Sequence, residues 1–392
     1  MTRAGWRHRW RDRWRRGLPL GLPLGRLFGF PVALNPSWLP LGALLAVGYG
    51  HLVGRSRPGL ATPAAYAIGL GLVVLLVLSV LAHELGHAFT CRRYGIGVRG
   101  ITLELLGGYT EMEREAPTPW TEMAVSLAGP AVSALLGLAG LAGLAGLAVA
   151  PPHTLAHQLA FQLAATNVIV AVFNALPGLP LDGGRALQAL VWWRTGDVYL
   201  GSRVAGWAGR AVALACAGAA LALYTNRAVT LIGAVLVLLV ALSVAAGAGH
   251  AVRYGRLGAR LPLLHAAALA RPIYPVPAGT PLAEAHRRAA AAGAAGATLA
   301  VADAAGAVVA LVHPAADAAV PADERTLVPV DAVARGVAAG RVLPAGLRGV
   351  DVLRAVQADP DAEYLVASGE DVIGVLRGAD VAELLAARET SR

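Results

Sequence analysis

A chain of 392 residues, 56% hydrophobic and 15% charged with a mean hydropathy of +0.59, lies outside the composition of soluble domains and reads as a multi-span membrane protein with further sequence attached. Its two cysteines, Cys91 and Cys216, exclude both a disulfide framework and a cysteine-built zinc site. The net charge of +9 rests on arginine alone, since all 33 basic residues are Arg.

Met1 to Arg16 holds seven of these Arg and one Asp, with Trp6, Trp10 and Trp14 at i, i+4 and i+8. As a helix, this part of the basic segment 1–24 puts three indoles on one face amid Arg, which suits an anionic lipid surface. A basic tail that only sets orientation fits the same composition. No compact apolar core with a small-residue cleavage site follows, which argues against a cleaved signal peptide. Nearness to a membrane span argues against a nucleic-acid partner.

Six candidate spans come next: Ser37 to Val53, Pro63 to Phe89, Glu122 to Ala150, Leu155 to Leu176, Val198 to Tyr224 and Val229 to Ala248. Gly25 to Val32, interrupted by Gly and Pro, reads as an extended lead-in at the interface. With six spans the Arg-rich N-terminus, Arg92-Arg93, Arg185 with Arg194, and Arg253, Arg256 and Arg260 fall on one side. The positive-inside rule makes that side cytoplasmic, with Arg55, Arg57 and Arg227 the minority opposite.

The second span contains His83-Glu84-Leu85-Gly86-His87. Ionisable groups at membrane depth are costly unless they pair, face a cavity or bind something, so they mark a functional site. Residues i and i+4 share a helix face, which directs both imidazoles at one point. This is the HExxH arrangement, in which two His hold a metal and the Glu activates its water.

After this span, Gly95 to Pro119 is polar. Within it Ile101-Thr102-Leu103-Glu104-Leu105-Leu106 alternates and runs into Gly107-Gly108, as a strand with an exposed edge or a hairpin would. Such an edge can take up an extended peptide, although a plain membrane-associated loop fits these residues as well.

A catalytic zinc takes three protein ligands and leaves one position for water. The best third ligand is Asp182, in Asn174-Ala175-Leu176-Pro177-Gly178-Leu179-Pro180-Leu181-Asp182-Gly183-Gly184. Pro177 and Pro180 break a helix there, and Gly183-Gly184 allow close backbone approach. Spans two and four run in the same direction, so His83, His87 and Asp182 all fall near cytoplasmic ends. Two His and a carboxylate also suit non-haem iron, but a Glu directly after the first His favours zinc hydrolysis. Glu84 is then the general base. Asn174, seven residues after Asn167 on about the same face, is a candidate donor to a developing oxyanion. Asn167 is better explained by interhelical hydrogen bonding. A metal or ion transporter built on His83, Glu84 and Asp182 is the alternative from a different class.

Pro262 to Arg392 is Ala-rich, with alternating strand-like and helix-like runs in two similar units. The first has Thr298 to Val301, Ala307 to Val312 and Asp317. The second has Tyr364 to Ala367, Val372 to Leu376, Asp380 and an apolar helix to Ala387.

These residues together resemble the site-2 protease family of intramembrane zinc metalloproteases. The matching pieces are His83 to Gly95, the Leu103 to Gly108 strand, Ala128-Gly129-Pro130, and Asn174 to Gly184, spread over about Gly25 to Ala248. The resemblance implies an α-helical polytopic membrane protein with six transmembrane helices and a small membrane-associated β element, residues 25–253. It implies one zinc ion per chain on His83, His87 and Asp182, with Glu84 as base. Its substrates would be membrane proteins such as an anti-sigma factor or membrane-bound regulator, trimmed first by another protease. The implied location is the plasma membrane of a bacterium, with the N-terminus and tail cytoplasmic. Residues 254–392 resemble a tandem CBS regulatory domain of α/β type, which implies an adenine nucleotide with Asp380 and Asp317 at the ribose positions, and pairing into a homodimer or higher assembly. Asp317 stands one residue out of step and His313-Pro314 intrudes, so a purely dimerising tail is the competing expectation.

Overall fold

Apolar spans and short alternating strands separate along the chain into two compact units that divide after Arg256. The computed structural model describes residues 21–57, 59–104, 107–148, 154–336, 341–369 and 371–386. The expected Trp/Arg helix before residue 21 lies outside them, as do Leu105 and Leu106.

The first unit opens with strands β1 (Leu22–Leu27) and β2 (Phe30–Leu34), followed by helices α1 (Trp38–Ser56) and α2 (Thr62–Arg93). Strands β3 (Val98–Glu104) and β4 (Gly107–Met112) come next, then α3 (Pro119–Gly146), α4 (Leu155–Asn174), α5 (Asp182–Thr195), α6 (Val198–Thr225) and α7 (Leu231–Gly258). Among the described residues, α2, α3, α4, α6 and α7 are long and apolar enough to cross a membrane, so this is an integral membrane protein. The 19-residue α1 is not one of those five; Gly50, His51 and Arg55 dilute its apolar character.

Gly25 to Val32 is more than a lead-in: β1 and β2 form an antiparallel hairpin. Its turn is made by Phe28 and Gly29, both at positive φ (50° and 91°), the conformation that two-residue hairpin loops require. Strand β2 pairs in parallel with β3, with Val32 opposite Ile101, and β3 pairs antiparallel with β4. The order β1-β2-β3-β4 leaves β4 as an outer strand. Phe30, Val32, Ile101 and Leu103 point to one face and pack with Trp38, Val80 and Ala88, which seats the sheet against the His-bearing half of α2. Asn167 of α4 donates to Ser79 Oγ of α2 at 2.9 Å, the interhelical role expected of it.

The second unit contains the expected pair of similar segments. The first comprises β5 (Ile273–Pro277), α8 (Leu282–Ala291), β6 (Thr298–Ala302), β7 (Val308–Val312) and α9 (Pro314–Ala319), with β8 (Ala334–Gly336) added at the edge. The second comprises β9 (Val342–Pro344), α10 (Val350–Ala358), β10 (Glu363–Ser368), β11 (Asp371–Arg377) and α11 (Gly378–Ala386). In each, a strand and helix lead to a parallel strand and an antiparallel hairpin partner. Helix α8 packs on the first sheet through Leu282 and Ala285, and α10 and α11 pack on the second through Val352 and Val381.

Candidate metal centre

The helical repeat of α2 brings His83 and His87 to one face, with their Nε2 atoms 3.2 Å apart. Asp182 Oδ2 lies 3.0 Å from His83 Nε2 and 3.3 Å from His87 Nε2. The opposite ring nitrogens are held from α3. His87 Nδ1 is 2.7 Å from the Val125 carbonyl oxygen, which can only accept, so Nδ1 carries the proton and a neutral ring leaves a bare lone pair at Nε2. His83 Nδ1 is 3.0 Å from Ser133 Oγ. Outer partners of this kind fix the rings of metal-ligating histidines.

Whether these residues fit a metal can be judged from the donors themselves. Two imidazole lone pairs and a carboxylate oxygen converge within 4.8 Å of one another, an arrangement that repels unless a cation lies between them. A tetrahedral zinc with bonds of about 2.0–2.1 Å sets its ligand atoms roughly 3.3 Å apart, and the separations here are 3.0, 3.2 and 3.3 Å. The donor set fits zinc. Space for the imidazoles comes from Gly129, where a β-carbon would sit 2.2 Å from His87 Nε2 and 2.6 Å from His83 Nε2.

Asp182 is the first residue of α5. The loop before it is anchored by Leu179 N donating to Ala205 O at 3.0 Å. Gly183 and Gly184 pack directly on that loop, where β-carbons would lie 2.3 Å from Ala175 O and 2.1 Å from Gly178 C, the close approach expected of them. Burial pushes the Asp182 carboxyl up, but when the two imidazoles beside it carry protons on Nε2 they hold it well below the usual carboxylate range, so it is ionised whichever cation, proton or metal, sits between the three groups.

Glu84 is buried beside this cluster. Its Oε2 accepts from Thr110 Oγ1 of β4 at 2.6 Å, and β4 comes close enough that a β-carbon on Gly108 would be 2.6 Å from Oε1. A cavity lined by Glu84, His87, Gly108, Thr110, Asp182 and Arg185, among others, opens at this point. Asn174 is placed differently. Its amide donates to the Val170 carbonyl of its own helix at 3.1 Å, and it does not line this cavity.

Thr110 and Arg185 escaped the sequence reading as site residues. Arg185 counted there only as a charge for orientation, yet it follows Asp182 by three residues and so shares its face of α5. Its Nε donates to Glu122 Oε1 at 2.8 Å. A lone acid at the start of an apolar span and a lone base one turn after a ligand were the available signal. Thr110 had none, since nothing local distinguishes it from any strand threonine.

In the second unit Asp380 is taken by Arg271, with Nη2 2.6 Å from Oδ1 and Nε 3.2 Å from Oδ2. Asp317 is taken by His286 at 3.0 Å and lies 3.6 Å from Arg325 Nη2. Both candidate ribose carboxylates are engaged within the chain.

Comparison with known proteins points the same way as the geometry. A family model described as peptidase family M50 matches residues 71–162 and 146–217. "Putative zinc metalloprotease sll0528" of Synechocystis is 39% identical over 179 residues, 46% of either chain. Rip3 of Mycobacterium tuberculosis, which bears the same designation, is 36% identical over 189 residues, 48% of either chain. The chain thus matches about half the length of these relatives. A solved site-2 protease from Methanocaldococcus jannaschii aligns over 59% of this chain and 95% of its own, at 24% identity and a TM-score of 0.41. The ligand motifs at His83, His87 and Asp182 all lie inside residues 71–217, the stretch that matches the peptidase family M50 model.

Proposed function

We propose that this protein is an intramembrane zinc endopeptidase that cuts transmembrane segments of membrane proteins. The observation that carries the reading is the convergence of His83, His87 and Asp182 on one point beside a buried Glu84. When bound, zinc polarises the scissile carbonyl and acidifies a water. Glu84 takes the proton from that water and later gives it to the leaving amine. Thr110 occupies Oε2, which leaves Oε1 to take up that proton. A glutamate held by a neighbouring hydroxyl and left out of the ligand set suits a base better than a transport ligand.

The substrate strand is taken up at β4. Its place at the outside of the sheet, next to Glu84, supports this, because an edge strand offers main-chain partners to an unwound peptide. Asn174 could serve an oxyanion only after its amide leaves Val170. In our reading α1 is a sixth span, the Arg clusters put the N-terminus, site and tail in the cytoplasm of a bacterium, and residues 1–24 lie on anionic lipid. The substrate is a membrane-held regulator of the anti-sigma type, shortened beforehand by another protease.

The tail is read as a tandem CBS domain, supported by its two matching strand-helix-hairpin units, and it pairs two chains. An adenine nucleotide reaches Asp380 by displacing Arg271.

The test is Glu84→Gln in the full chain. It abolishes cleavage of a co-expressed membrane substrate and leaves zinc bound; unchanged cleavage refutes the reading. Metal flux into proteoliposomes that disappears in the same variant, with no proteolysis in the wild type, supports the transporter instead.

A further inference from the structure

The mechanism above leaves one charged group of the cavity without a task. Arg185 lines the same space as Glu84, Tyr109, Thr110 and Asp182. Its Nε is used by Glu122, a buried residue of α3, and this bond fixes the plane of the guanidinium. The terminal nitrogens make no hydrogen bond among the described residues, and about a third of the side chain (34%) is exposed. Its four terminal N–H groups thus have no acceptor within hydrogen-bond distance among the described residues, and leaving such donors unmet is costly.

An unwound peptide has the complementary need. Each residue drawn from a helix into an extended strand presents a carbonyl oxygen that has lost its partner. One edge of such a strand can pair with β4; the carbonyls on its other edge face away from β4. Residues of β4 and α5 line the cavity together, so the donors of Arg185 lie where that second edge has to be met.

We propose that Arg185 is a substrate-binding residue whose Nη1 and Nη2 edge takes a main-chain carbonyl oxygen of the bound strand, with Glu122 as the residue that positions it. The proposal rests on the proteolysis reading. It assigns Arg185 to holding peptide next to the scissile bond, and it uses an arginine because only that side chain offers an anchored Nε together with a second donor edge.

The test uses full-length protein in detergent and two substitutions. Arg185→Lys keeps a positive charge for Glu122 but loses the second donor edge; Arg185→Gln with Glu122→Gln removes both charges and leaves no buried carboxylate alone. The probe is a synthetic peptide carrying a fluorophore and quencher. It spans the transmembrane segment of the protein that accumulates in cells whose Glu84 is changed to Gln. We expect KM to rise about tenfold in both variants, with an equal loss of peptide affinity when each is combined with Glu84→Gln. Zinc content and melting temperature stay at the values of the matching protein with Arg185. Wild-type KM and affinity in either variant overturns the assignment. Failure of the wild type to cut the peptide speaks against proteolysis itself, and the affinity measurement still decides the role of Arg185.

Discussion

A β-carbon placed on Gly129 would lie 2.2 Å from Nε2 of His87, so the helix that carries Gly129 is pressed against the ligand atoms. The same α3 supplies the Val125 carbonyl that fixes the His87 ring. Gly129→Ala is therefore expected to push both imidazoles off the metal point and to weaken zinc binding by roughly 10- to 100-fold. Zinc retained per protein after gel filtration against a chelator measures this. Full retention would show that α3 yields more easily than its packing suggests.

Thr110 acts on the base, not on the metal. Thr110→Val keeps the shape but removes the bond to Glu84 Oε2, and kcat should fall about 10- to 100-fold with zinc content unchanged. A parallel fall in bound zinc would place Thr110 in the metal site instead.

Acid should empty the site through the histidines. Imidazole must be deprotonated to bind a metal, so occupancy drops as pH falls. Asp182 has a carboxyl held low by those imidazoles, so acid acts on the histidines first. The sign is fixed: protonation competes with metal at low pH, and raising the pH restores binding. Zinc titrations at stepped pH test it, and Asp182→Asn should weaken binding at every pH and so shift the loss of zinc to higher pH. Zinc that stays bound to pH 4 would contradict the account.

In the tail, Arg271 and a nucleotide compete for Asp380. Arg271→Gln should strengthen ATP binding to the full chain by about tenfold, read by calorimetry, because a charged bidentate pair no longer has to be broken. No ATP binding by either protein leaves the tail as a pairing module.

The parts legible in the sequence were those governed by a helix repeat or by span length. His83, Glu84 and His87 stand at i, i+1 and i+4, and the matching direction of spans two and four brought Asp182 to the same end. What escaped depends on contacts between distant segments. The β1–β2 hairpin needs Phe28 at positive φ, which few non-glycine residues adopt, so its alternation looked like a lead-in. Helix α5 has 14 residues, too short for a span and too polar for one, so span length gives no sign of it. Thr110 reaches Glu84 from 26 residues away and Arg185 reaches Glu122 from 63. Pairings at such separations are set by the fold and leave no local pattern. Nothing local marks Arg271 and His286 as the partners of the two tail carboxylates.

The most direct measurement is hydrolysis in water enriched in oxygen-18, with purified wild type and Glu84→Gln side by side and zinc counted in each. The account predicts one zinc per chain in both proteins. Wild type alone should release a fragment, and its new carboxyl terminus should carry one heavy oxygen. The same labelled fragment formed at the wild-type rate by Glu84→Gln would contradict it.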